Sequence, residues 1–119
     1  MSTYIREKVL RYPMDGDLET FEEKYQDLFS WGEPGKFQIA PTTKGFIDFV
    51  LECDRDADGE YGKTRALSEK EQEKYHATWA KIIPDVDMNK VRLVEFCWYN
   101  ATEAPDYYDE TNDPFYDEI

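Results

Sequence analysis

Carboxylates dominate the side chains of this sequence that could do chemistry. Asp54, Asp56 and Asp58 sit at alternate positions in DRDADGE, followed by Glu60. Carboxylates spaced in this way can converge on one hard cation, and Gly59 permits the sharp turn that this needs. A second group fills residues 103–119, EAPDYYDETNDPFYDEI. It comprises Glu103, Asp106, Asp109, Glu110, Asp113, Asp117 and Glu118, with no Lys or Arg among them. Four rings, Tyr107, Tyr108, Phe115 and Tyr116, are threaded between these acids. Solvating acidic tails are ordinarily poor in aromatics, so this segment is expected to touch something. On a basic partner its acids would stand where phosphates stand, and its rings would fill apolar or stacking pockets. The alternative is that the rings fold back and complete the domain's own core.

The first group resembles the opening half of an EF-hand calcium loop, D-x-D-x-D-G. The resemblance stops there. The twelfth position, which should supply a bidentate Glu, is Arg65, while Tyr61 and Gly62 occupy the eighth and ninth. An Asp-rich turn needs no ion, since Asp and Gly are ordinary turn residues, and that is the reading adopted. A Ca2+ site on Asp54, Asp56, Asp58 and Glu60 is the alternative. His76 is the single histidine, and Cys53 and Cys97 stand apart rather than in a C-x-x-C pair, so zinc lacks a ligand set. Both cysteines lie in apolar runs and read as reduced core thiols, with His76 partly buried beside an apolar helical stripe. Gly59 and Gly62 lack the Lys-Ser/Thr of a phosphate loop. With no cofactor or catalytic motif, the chain reads as a non-enzyme.

The elements that must position these groups follow from the hydrophobic pattern. Residues 4–12 read as a strand ending at Pro13. Asp17 caps a helix whose apolar positions Leu18, Phe21, Tyr25 and Leu28 recur at three- and four-residue steps, and Gly32 with Pro34-Gly35 ends it. Residues 36–40 and 45–53 read as two strands, and 54–63 as a polar turn. Ser68 and Glu71 form a capping box for a second helix carrying Tyr75, Trp79, Ile82 and Ile83 on one face, stopped by Pro84. Residues 91–99 form the clearest strand, in which Arg92 and Glu95 demand either a bulge or burial on both sides. The order strand, helix, strand, strand, helix, strand predicts an α+β fold. Two helices would pack on one face of a mainly antiparallel sheet, in the βαββαβ arrangement called ferredoxin-like. Residues 1–100 make one such domain, and 101–119 an acidic aromatic extension.

The totals agree with one domain: 119 residues, 40% hydrophobic and 16% aromatic. The formal net charge of -13 repels nucleic acid and anionic membranes and favours a basic partner. The first residues carry no signal-peptide core and no apolar run spans a bilayer, so a cytoplasmic protein is expected. Spread over a domain about 35 Å across, this charge gives about 0.4 per Å, against about 0.6 per Å for duplex DNA. Small, acidic, single-domain and rich in aromatics, the whole chain resembles in composition the phage and mobile-element proteins that block host defence nucleases. These include anti-CRISPR and anti-restriction DNA mimics. The resemblance implies an inhibitor that occupies the nucleic-acid-binding surface of a basic partner.

Overall fold

Alternation along the first strand decides the architecture. In the computed structural model, which describes residues 3–41, 43–55 and 63–100, β1 (Thr3–Pro13) lies at the centre of the sheet. Then follow α1 (Leu18–Lys24), β2 (Phe37–Ile39), β3 (Phe46–Arg55), β4 (Thr64–Ala66), α2 (Glu69–Ala80) and β5 (Arg92–Asn100). The sheet order is β2-β3-β1-β5-β4, with every neighbouring pair antiparallel. The fold is therefore α+β, as the sequence predicts. Both edge strands have three residues, which leaves little unpaired backbone to recruit another sheet.

Leu10 pairs with Phe49 and with Leu93, so their side chains share one face. On that face they meet Ile47 and Phe37 from the sheet, Val91 just before β5, Leu18 and Phe21 from α1, and Tyr75 and Trp79 from α2. Trp79 is the centre of this core. It is fully buried, with ring centroids 5.7 Å from Tyr12 and 5.0 Å from Phe37. Its indole N–H finds no acceptor among the described residues. Towards the other end of the same face the strands turn charged, with Arg6 and Lys8 beside Glu52, Asp54 and Glu95.

The opposite face is built from Val9, Val50, Val94, Phe96, Phe46 and Ala40, and no residue of α1 or α2 joins that cluster. It is nonetheless buried, as are Glu7, Arg11 and Asp48 on it. Both faces of the sheet are covered, which resolves the conflict at Arg92 and Glu95. The β1–β5 register runs unbroken from Thr3 to Arg11, and the bulge lies instead in β3, between the pairs Lys8–Glu52 and Val9–Val50.

Four further expectations need correction. The first helix ends at Lys24, and Gln26–Leu28 continues it only as a 3-10 turn. Ile82 and Ile83 lie beyond the end of α2 at Ala80, although both are buried in the core. His76 is exposed rather than partly buried. Cys53 and Cys97 are half-buried rather than fully buried, and of the two it is Cys53 that packs against the cluster of Val9, Val50 and Val94. They occupy opposite faces, because Cys53 pairs with Glu7 while Cys97 pairs with the next residue, Arg6. A bond between them would have to pass through the sheet.

Candidate functional site

The acidic extension singled out by sequence, Glu103 to Glu118 with its rings, lies outside the described residues, as do Asp56, Asp58 and Glu60. Asp54 is exposed at the end of β3, opposite Arg6. Among the described residues, no group of three His, Cys, Asp or Glu side chains is placed to hold a metal ion. Two arrangements that sequence reading missed are well defined.

The first is a buried polar network on the helix-free face. Arg11 and Asp48 pair across β1 and β3, both with fully buried side chains. The guanidinium donates from Nε to Oδ1 at 2.6 Å and from Nη2 to Oδ2 at 3.0 Å, and it lies 4.8 Å above the Phe96 ring. Gln38 on β2 extends the network, donating from Nε2 to Glu7 Oε1 at 2.8 Å and to Asp48 Oδ2 at 3.3 Å. Its own Oε1 accepts the Gly32 backbone N–H at 2.8 Å. A fork-shaped donor against a carboxylate is the strongest arrangement available to a buried pair.

Through Gln38 the network fixes residues 30–36, the loop that joins α1 and its 3-10 turn to β2. The loop is tied along its length. Ser30 N–H donates to Phe37 O at 3.0 Å, Gly35 N–H to Val50 O at 2.8 Å, and Val50 N–H to Lys36 O at 2.9 Å. Gly32 and Gly35 have φ of 67° and 87°, the left-handed region that a side chain resists, so the tight path requires glycine there. At its tip stands Trp31, 61% exposed, the large hydrophobic side chain that the described surface leaves outside.

The second arrangement is an acidic strip leading into this loop. Residues 15–27 contain Asp15, Asp17, Glu19, Glu22, Glu23 and Asp27 against a single base, Lys24. All except the half-buried Glu22 are exposed. Among the described residues none of the six forms an ion pair. Lys24 lies 5.3 Å over the Tyr25 ring, and Lys36 donates to the Asp27 carbonyl at 3.0 Å. Asp17 caps α1, accepting from the Thr20 hydroxyl at 2.7 Å and from the Glu19 and Thr20 amides. The Thr20 hydroxyl and then its amide hold this carboxyl below the usual range. By contrast, α2 and its C-cap Lys81 carry three acids and three lysines, and Glu71 is paired with Arg65 at 2.8 Å. Along the described chain the acids are therefore unevenly distributed, and they are densest in residues 15–27.

The spacing Asp-x-Asp-x-Glu at positions 15–19 could have disclosed the strip. Nothing in the sequence marks Gln38 as a brace. Comparison with protein-family models, with curated proteins and with solved structures finds no match to this chain.

Proposed function

We propose that this protein is a small acidic binding protein. It occupies a basic, nucleic-acid-binding surface of a partner such as a defence nuclease, and inhibits it by standing in for the nucleic acid. The observation that carries the reading is the stretch 15–27, in which five of six carboxylates are exposed, one lysine accompanies them in sequence and, among the described residues, none forms an ion pair. Surface acids that serve solubility alone are ordinarily interspersed with bases, as on α2. Unneutralised acids along one edge produce a directed field that steers a positive partner. Under this reading the acids and rings of 103–119 add a second contact.

The test is competition. The protein should displace DNA from a purified basic nuclease such as a Cas9-type or restriction enzyme, and its affinity should fall as salt rises. Changing Asp106, Asp109, Glu110 and Asp113 together to Asn and Gln is expected to weaken binding with the far-UV spectrum unchanged. Undiminished affinity in that variant removes the extension from the interface. A calcium titration followed by Trp fluorescence separates the alternative. A saturable change would favour a Ca2+-binding turn on Asp54, Asp56, Asp58 and Glu60, whereas a flat response is expected here.

A further inference from the structure

We infer that the helix-free face of the sheet is the docking surface of the chain's own C-terminal extension, residues 101–119, whose rings turn inwards and whose carboxylates stay in solvent. Ile5, Glu7, Val9 and Arg11 of β1 alternate onto that face, beside Asp48 and Val50 of β3 and Val94 and Phe96 of β5. Each is at most 3% exposed in the chain taken alone, so the cover belongs to this chain and not to a second copy or a partner. Among the described residues, the apolar cluster there draws on the strands and on Ala40 just after β2, and neither helix lends it a side chain. The loop at 30–36 reaches this face at Gln38 on β2, but β5 lies three strands further, about 14 Å away. The connection from Arg55 to β4 has a crossing of its own to make. Arg55 is level with Ile5 and Thr64 with Val94, so that span ends short of Arg11 and Asp48. Residues 101–119 begin where β5 ends, at Asn100 opposite Thr3. Extended, they run about 60 Å, against about 26 Å back along β5 to Arg92 beside Arg11, so they can return over the whole face. Their composition suits it, because Tyr107, Tyr108, Phe115 and Tyr116 supply the large area that an apolar face requires. The face already buries the carboxylates of Glu7 and Asp48, and burying more would be costly, which keeps the seven acids of the extension outside. The second contact with a basic partner then narrows to those acids.

The test uses the full chain with no partner added, so its outcome is separate from that of the inhibitor reading. With valine methyls and Tyr and Phe rings labelled with carbon-13, NMR cross-relaxation is expected between the methyls of Val9, Val50 and Val94 and the assigned rings of Tyr107, Tyr108, Phe115 and Tyr116. Val91, in the helix-side core, should show none. Absence of every such cross-peak from the three valines overturns the inference. Changing the four rings together to Ser should lower the melting temperature by more than about 5 °C and move the Val9 and Val94 methyl signals while leaving that of Val91 in place. A ring-free variant as stable as wild type, with those signals unmoved, also overturns it. Should that variant fail to fold, the wild-type cross-peaks decide alone. Changing Asp106, Asp109, Glu110 and Asp113 to Asn and Gln should leave the valine signals where they are, and their movement would place the carboxylates against the sheet and defeat the inward-ring arrangement.

Discussion

Arg11 and Asp48 carry opposite charges into a place where neither could stay alone. Removing one partner of such a pair leaves the other charge unanswered at low dielectric, at a cost of about 3–5 kcal/mol. Asp48→Asn should therefore lower the urea midpoint sharply. The double change Arg11→Met with Asp48→Leu should lose less than the two single changes summed, since it strands neither member of the pair. The pair was illegible in the sequence. Arg11 sits two positions from Val9 and four from Glu7, a spacing that reads as a strand with poor alternation. Polar residues pointing inwards look the same in the chain as polar residues pointing outwards. Only the register brings Arg11 opposite a partner 37 positions away. Glu71 is the contrasting residue, exposed and locally held. The Arg65 guanidinium first, and the Ser68 amide next, lower its carboxyl from 4.5 to about 2. A carboxyl depressed on folding stabilises above its unfolded value and loses that contribution as pH falls through the folded one. The melting temperatures of wild type and Glu71→Gln should accordingly converge between about pH 4.5 and pH 2.

Elements were more legible than contacts because their signals are local. Ser68 and Glu71 form the reciprocal cap that their spacing announced, with Glu71 N–H on Ser68 Oγ at 3.2 Å and Ser68 N–H on Glu71 Oε1 at 2.9 Å. Ser68→Ala should cost about 1 kcal/mol and lower the melting temperature by about 4 °C. The start of α1 was equally clear from Asp17. Its end was not, because Tyr25 and Leu28 keep a three-residue step that an α-helix and a 3-10 turn share. For the same reason Ile82 and Ile83 looked like helix positions. The missed strand β4 has three residues, Thr64–Ala66, too few for alternation to register. It is held by pairing with β5, and Arg92 Nε on Thr64 Oγ1 at 3.1 Å joins the two strands through side chains. The acids of the strip stood in the sequence one residue at a time. Their meaning as a surface depended on where the lysines stand.

For the whole molecule, the net charge of -13 sets the sign of every long-range encounter. Steering of this kind multiplies association rates by about 10 to 1,000 at low ionic strength and is screened steeply by salt. Stopped-flow association with a basic nuclease should therefore slow at least tenfold between about 50 and 500 mM salt, with a smaller effect on dissociation. A rate insensitive to salt would mean that the carboxylates play no part in the encounter. The central position of β1 has a different consequence, felt before any partner is met. Val9 is matched with Val50 on one side and with Val94 on the other, so among the described strands the earliest in sequence pairs with the latest. Assembly must wait for distant segments to find each other, a topology that places folding in the millisecond-to-second range. A nascent chain stalled on the ribosome before β5 emerges would keep Leu10, Val9 and Ile5 open to chaperones.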